Sequence, residues 1–477
     1  MSAIKYNLFV LLPALVFLGS CKKEFLDDKP YNSVLLVDAI KTESDLAGTT
    51  TGMYSSLRAT DLYGRTLPVK GDIMADNTFV FTANSGRYTT MNSYTFTTSD
   101  AYALGIWTNA YVAIKYANTI IAAAPSITGS ANVNQYQGEA YAVRALMHFE
   151  LVRNYAHAYT AAPADPGIPI VLKYDQDALP SRNTVKEVYT QIIADLEKAY
   201  SLMTVYRGTA YFSKYAARAL EARVYQSMGD WANAKTTALD VINNSGVTMT
   251  GSTSYVAYWG SPSVQTTSKN ETLFEVSSDY TTNNGFDQIG FIYLITGGGY
   301  GDILANAELY NLYSATDVRK SLMSVGTRSG QSGTAYFCQK YINAANATDK
   351  DDTKVLRLSD ILLIAAEAYY NTSDITNANL YLNKVAKQRD PSFAGWADAG
   401  ATVLEDILIE RRKELAFEGS RYWDLVRLQR SFTKVSNQSP LVTVSVTPSN
   451  TALIFPIPLT EVNANPSLKA QQNPGYN

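Results

Sequence analysis

Apolar side chains recur every three to four positions along most of the chain from Ser44 onward, the spacing that lines one face of an α-helix. The segment that opens at Thr184 shows the full pattern. Thr184 and Glu187 stand as a capping box, and Val188, Ile192, Leu196 and Tyr200 follow on a single stripe. The same periodicity predicts amphipathic helices over residues 102–124, 133–157, 213–228 and 230–244. In the second half it predicts them over 355–371, 376–389, 404–418 and 421–430. The period breaks down over 76–99 and 245–301, which are rich in Thr, Ser, Asn and Gly with scattered aromatics. Both are too long to be plain connectors, and functional residues are expected in them. Near the end, Leu453-Ile454-Phe455-Pro456-Ile457-Pro458 is predicted to be extended, because each proline removes a backbone donor and restricts the residue before it.

Two of the predicted helix pairs are copies of one pattern. A shift of 144 positions places Ala222 on Ala366, Tyr225 on Tyr369, Asp230 on Asp374, Asn233 on Asn377, Ala234 on Ala378 and Val241 on Val385. In each copy an alanine-and-tyrosine helix stops, an aspartate caps the next helix, and small alanines let the two axes approach. The unit resembles the tetratricopeptide helix-turn-helix, which buries its apolar face only by stacking on neighbours. The expected fold is therefore mainly α, a superhelix of tetratricopeptide-like helix pairs with long irregular loops and minor β structure.

The first twenty residues have another character. One lysine and an apolar run over 8–18 lead to Leu18-Gly19-Ser20-Cys21, a run too short to span a bilayer in the mature protein. This resembles a bacterial lipobox, in which cleavage leaves Cys21 as a lipid-bearing N-terminus. The expected organisation is a lipoprotein signal peptide over 1–20, then an anchored mature chain on a charged tether from Lys22 to Asp28. Cys338 is the only other cysteine, so no disulfide is expected within the mature chain. A net charge of −3 excludes an electrostatic case for nucleic acid as partner. The 34 tyrosines do change the picture, because a flat apolar ring with a polar tip suits ligands that are apolar on one face and hydroxylated at the edge.

Catalytic patterns are weak by comparison. Glu410, Glu414, Glu418 and Asp424 offer paired carboxylates. The first three follow at helical spacing among Arg411, Arg412, Arg421 and Arg427, which predicts an ion-pair network tying two helices across a break at Gly419. Arginine neighbours lower carboxylate pKa values, which is unsuited to a general acid. His148 and His157 are the only histidines, both within one predicted helix and without a metal-binding motif around them. Gly297-Gly298-Gly299-Tyr300-Gly301 lacks the spacing and strand context of a nucleotide loop. Asp349, Asp351 and Asp360 echo calcium-loop positions, but Lys354 stands where the turn glycine belongs. Neither a metal nor a cofactor is expected.

The ordered motifs resemble the SusD/RagB family of outer-membrane nutrient-binding lipoproteins of Bacteroidetes. They are Phe25-Leu26-Asp27, Gly52-Met53-Tyr54, the run from Glu139 to Ala145 with Gly167-Ile168-Pro169, and Arg357-Leu358-Ser359-Asp360 with the run from Ala365 to Tyr369. Beyond those come the run from Glu410 to Leu425, Phe455-Pro456-Ile457-Pro458 and Asn473-Pro474-Gly475-Tyr476. The resemblance implies an N-terminal helical region over 21–245 and a C-terminal region with ligand-loop insertions over 246–477. It also implies a fatty-acid (palmitate) anchor at Cys21 in the outer membrane, exposure on the cell surface, and a SusC-like TonB-dependent transporter as partner. The function it implies is capture of oligosaccharides without catalysis. Loop composition, not a family motif, supplies the candidate ligand contacts: Phe79, Phe81, Tyr88 and Tyr94 in the first loop segment, and Tyr258, Trp259, Tyr280, Phe286 and Tyr300 in the second. The same fold capturing peptides, a surface glycoside hydrolase and a protein-binding scaffold are the rival readings.

Overall fold

The computed structural model describes residues 40–175, 177–260, 269–329, 333–346, 350–435 and 443–476. Cys21, the signal peptide and Phe25-Leu26-Asp27 lie outside the described residues. Helices carry the fold. In chain order the long ones are α1 (Glu43–Leu57), α2 (Thr66–Ile73), α3 (Ala101–Ala123), α4 (Ala131–Tyr155), α5 (Val185–Leu202), α6 (Lys214–Met228) and α7 (Trp231–Asn244). In the second half they are α8 (Leu358–Asn371), α9 (Ile375–Arg389), α10 (Thr402–Glu414) and α11 (Arg421–Arg427). Each of α3 to α8 packs on the next, α1 covers α3 and α4, and α9 and α10 close the far end against α8.

Side-chain caps set where seven of these eleven helices begin. Thr184 forms the expected capping box of α5: its Oγ1 accepts from Glu187 N at 3.2 Å, and its own N–H donates to Glu187 Oε2 at 2.8 Å. The two repeats agree atom for atom at their turns. Asp230 and Asp374 accept from the backbone N–H of Asn233 and Asn377 at 3.2 and 3.1 Å, and from the amide side chains of the same asparagines at 2.8 and 2.7 Å. The turn residues Gly229 and Ser373 both adopt left-handed backbone, with φ of 73° and 62°. Ala222, Ala234 and Val241, and their counterparts Ala366, Ala378 and Val385, are completely buried. The tetratricopeptide-like stacking of helix pairs is thus present in the structure.

The minor β structure consists, among the described residues, of four two-stranded antiparallel pairs. The strands are β1 (Thr78–Val80), β2 (Thr272–Val276), β3 (Ile303–Ala305), β4 (Met323–Gly326), β5 (Ala335–Cys338), β6 (Thr353–Arg357), β7 (Phe432–Val435) and β8 (Thr443–Val446). Strand β1 pairs with β3, placing Phe79 opposite Leu304 and bringing the two long loop segments of the sequence together. Strand β6 occupies the first turn of the helix expected over 355–371, because Thr353–Arg357 pairs with β2 some eighty residues upstream. Three further predicted helices end early: α4 stops at Tyr155, leaving His157 beyond the helix and bonded to Asp165, α10 stops at Glu414, four residues before the expected end, and α11 stops at Arg427, three residues before it. The segment after Leu453 has no regular helix or strand through Pro458 and buries Phe455 and Ile457. No helix among the described residues is long and apolar enough to cross a membrane.

Candidate functional site

The first loop segment is anchored from below. Tyr88 is fully buried, stacks on Tyr102 with ring centroids 4.6 Å apart, and accepts from Arg65 Nε at 2.9 Å. Lys434 on β7 reaches under the short helix Thr89–Ser93 and donates to the carbonyl of Ile73 and to both oxygens of Asn92. Burial pushes its ammonium down to about 7. Tyr88 and Tyr94 flank this helix in left-handed backbone, and Tyr94 Oη donates to the Met74 carbonyl. The loop is therefore held by buried polar pins, and its outer edge is presented on a fixed base.

That edge meets the second loop segment above the β1–β3 pair. The Arg87 guanidinium lies 3.8 Å from the centroid of the Tyr300 ring and donates to Tyr300 Oη at 3.1 Å. Tyr300 N–H donates to the Phe291 carbonyl at 2.7 Å, and Phe291 packs on Phe286 with centroids 5.0 Å apart. Phe286 lies over Gly298 and is 58% exposed, and Tyr280 in the preceding turn is 63% exposed. Arg65 pairs with Asp287 at 2.6 Å and fixes the base of that turn. The result is an open face of exposed rings with guanidinium donors at its edge, an arrangement that stacks flat apolar surfaces and hydrogen-bonds hydroxyls.

Two further concavities lie on the helical scaffold. One of about 420 Å³ runs between α3 and the 169–180 segment, lined by Tyr111, Val112, Lys115, Tyr174 and Leu179 among others. The other, about 480 Å³, lies beside the start of α6 and includes Tyr206, Lys214, Tyr215 and Lys269.

Comparison with known proteins places this architecture. A SusD-like family model, described as starch-binding and associating with the outer membrane, matches residues 24–226. A SusD-like protein of Formosa agariphila is 27% identical over 99% of this chain and all of its own length. The crystal structure of a putative sugar-binding protein from Bacteroides vulgatus superposes with a TM-score of 0.81 at 28% identity, covering 92% of this chain and 99% of that one. A SusD superfamily protein from Bacteroides thetaiotaomicron superposes at 0.82 with 26% identity, covering 91% and 100%. The chain is similar in sequence and fold to SusD-like proteins along most of its length.

Within this SusD-like fold, the nine aromatic residues singled out from the sequence divide sharply. Phe79 and Phe81, two apart and so on the same side of an extended segment, pack in a small apolar cluster with Leu304, Ala335 and Phe337. Tyr88 serves as the buried pin described above. Tyr258 and Trp259 are buried as well, correcting the expectation that they meet ligand. They lie on a helix, Ser252–Trp259, with Tyr255 at the i, i+3, i+4 spacing that should have marked them as core. Tyr258 Oη bonds Thr272 Oγ1 at 2.8 Å, and the Trp259 ring covers Lys340 Nζ at 4.3 Å and Arg357 at 5.1 Å. Tyr94 is half-buried with its hydroxyl occupied. Tyr280, Phe286 and Tyr300 alone remain at the open face. Arg87 and Arg328, which the sequence reading passed over, join them, and their signal was an arginine without a nearby acidic residue in a polar loop.

The carboxylates of the 410–427 stretch are committed elsewhere. Glu414 accepts from Arg357 at 2.9 Å, Arg389 at 3.0 Å and Arg319 at 3.1 Å, all of them buried. Burial raises its pKa, but the three guanidiniums outweigh this and hold the carboxyl well below the usual range. Glu418 binds Arg357 and Lys340, and Glu410 binds Arg319. The expected ion-pair network is real, but the guanidiniums that hold Glu410, Glu414 and Glu418 come from distant elements, with Lys413 the one cation of the stretch that pairs with any of these three. Arg411 and Arg427 converge instead on Asp424, whose carboxyl they draw down to about 2 against the opposing effect of burial. Arg412 and Arg421 bind Asp76. Of the calcium-loop positions, Asp360 is held by Arg223 and Arg411, Asp351 accepts from Asn343 N, and Asp349 lies outside the described residues. No group of three or more His, Cys, Asp or Glu side chains is arranged for a metal among the described residues. Cys338 is buried, which pushes its thiol pKa up.

Proposed function

We propose that this SusD-like protein captures an oligosaccharide on the face formed by Tyr280, Phe286, Tyr300 and Arg87 and passes it, chemically unchanged, to a TonB-dependent transporter. The observation that carries the reading is the convergence of two distant polar loop segments, paired through β1 and β3, beside the exposed rings of Tyr280 and Phe286 and the half-buried ring of Tyr300. The sugar-binding description of its structural relatives and the starch-binding, outer-membrane description of the family model it matches support the ligand class and the compartment. The lipobox-like Leu18 to Cys21 supports anchorage of the mature chain through lipid on Cys21.

Calorimetric titration of a soluble form from Lys22 against panels of glycans and peptides tests this reading. Phe286→Ala and Tyr280→Ala should each weaken glycan binding by roughly 1–3 kcal/mol, a range taken from aromatic stacking on planar rings, with the melting temperature unchanged. Tyr174→Ala and Tyr206→Ala, in the two scaffold concavities, should leave affinity unaltered. Loss at those positions but not at Phe286 would move the site, and binding of peptides alone would replace the ligand class. For the anchor, Cys21→Ala should release the protein from membranes in cells lacking the transporter, and full retention would refute it.

A further inference from the structure

Many arginines of this protein, among them Arg319, Arg357, Arg389, Arg411 and Arg427, sit in buried ion pairs, while the buried Arg182 spends its donors on backbone carbonyls and Asn473. The two arginines of the open face have neither arrangement. Arg87 donates to Ser85 Oγ at 2.8 Å and to Tyr300 Oη at 3.1 Å, both uncharged acceptors. Arg328 approaches the same tyrosine from its other end, donating to the Tyr300 carbonyl at 2.9 Å, with its guanidinium 5.2 Å from the Phe81 ring. Its Nε is buried with no hydrogen-bond partner among the described residues. Asp302 is the nearby acid, but it is occupied with the backbone N–H and hydroxyl of Ser85 and forms no ion pair with either guanidinium. Two positive charges thus converge on Tyr300, at the margin of the exposed rings, without a direct carboxylate partner among the described residues.

A guanidinium donates and never accepts, so a neutral sugar, whose hydroxyls do both, leaves half of its own capacity unmet there. An oxyanion meets the planar fork with two acceptors and supplies the missing charge. We infer that the saccharide bound at this face is acidic, with a carboxylate or sulfate group seated between Arg87 and Arg328 while a neighbouring ring stacks on Phe286. The inference rests on the reading of this face as the glycan site and narrows its ligand class.

The experiment titrates the detergent-solubilised full chain with two matched pairs of oligosaccharides. One pair is oligogalacturonate and its carboxyl-reduced counterpart, and the other is a sulfated carrageenan oligosaccharide and its desulfated counterpart. The acidic member of at least one pair should bind ten-fold or more tightly than its neutral partner, and the pair that responds identifies carboxylate or sulfate. Arg87→Gln and Arg328→Gln should each erase most of that preference, Arg87→Lys should restore part of it, and added salt should weaken the acidic ligand alone. Equal binding of acidic and neutral members, insensitive to both arginine variants yet still lost in Phe286→Ala, would overturn the acidic class and leave the glycan site standing. Binding to neither pair, or binding indifferent to Phe286→Ala, would overturn the inference together with the site.

Discussion

Glu414 is the residue whose removal tests the architecture most directly. Arg319, Arg357, Arg389, Lys340 and Lys413 face Asp317, Glu271, Glu410, Glu414 and Glu418 in one connected interior cluster, five positive charges against five negative. Glu414→Gln keeps the volume, removes one negative charge and turns an amide N–H₂ toward guanidiniums. It leaves a net positive charge where Arg389 and Glu271 are completely inaccessible. Breaking one partner out of a buried ion pair costs about 3–5 kcal/mol, because the remaining charge is neither solvated nor neutralised. At roughly 2 cal/mol/K of unfolding entropy per residue, 477 residues lose about 1 °C of melting temperature per kcal/mol, so the variant should melt ~3–5 °C lower. Scanning calorimetry on parent and variant reads this directly. Arg430→Gln is the control, since its pair with Glu405 is exposed and worth under about 1 kcal/mol. Melting of Glu414→Gln within a degree of the parent would refute the reasoning. Normal melting with loss of a hydrolytic activity would revive the reading of these carboxylates as catalytic.

Other outcomes follow from the same geometry. Burial, reinforced by Arg144, drives the His148 imidazole down to about 3. Between pH 6.5 and 3 the unfolded chain therefore takes up a proton that the native state refuses, and stability falls by about 1.4 kcal/mol per unit as pH drops; His148→Gln should flatten this slope in denaturant melts. Asp424 acts lower, since its pKa of about 2 against an ordinary 3.8 contributes about 2 kcal/mol above pH 4 that is lost toward pH 2. Gly71→Ala should prevent soluble folding or cost about 4 kcal/mol, because a Cβ there would stand 1.9 Å from the Gly419 carbonyl oxygen where α2 crosses the turn before α11. Gly48→Ala in α1, with nothing within 4 Å, should instead stabilise by about 0.4–1 kcal/mol, and paired urea melts separate the two. Asp230→Ala and Asp374→Ala should cost about 1 kcal/mol each, equal within error because the two caps share one geometry.

Local chemistry was sufficient for much of the scaffold. The 3.6-residue period, the capping box at Thr184 and the aspartate caps of the 144-residue repeat act over a few positions, and the structure realises each of them where the sequence placed it. Helix ends were less legible: Val355 reads as a helical position until Thr272–Val276 pairs with it as a strand. Burial of Trp259 could have been read from its helical spacing to Tyr255 and Tyr258, but the cations beneath its ring come from Lys340 and Arg357, far along the chain. Arg411 and Arg412 are adjacent in sequence yet serve different acids, Asp424 and Asp76, because successive helix residues point about 100° apart and meet different neighbours. The open face was decided the same way. Its loop segments announced themselves by composition, but which rings turned outward, and that Arg87 and Arg328 would meet at Tyr300, depended on β1 pairing with β3 across more than two hundred residues, a contact that no local period encodes.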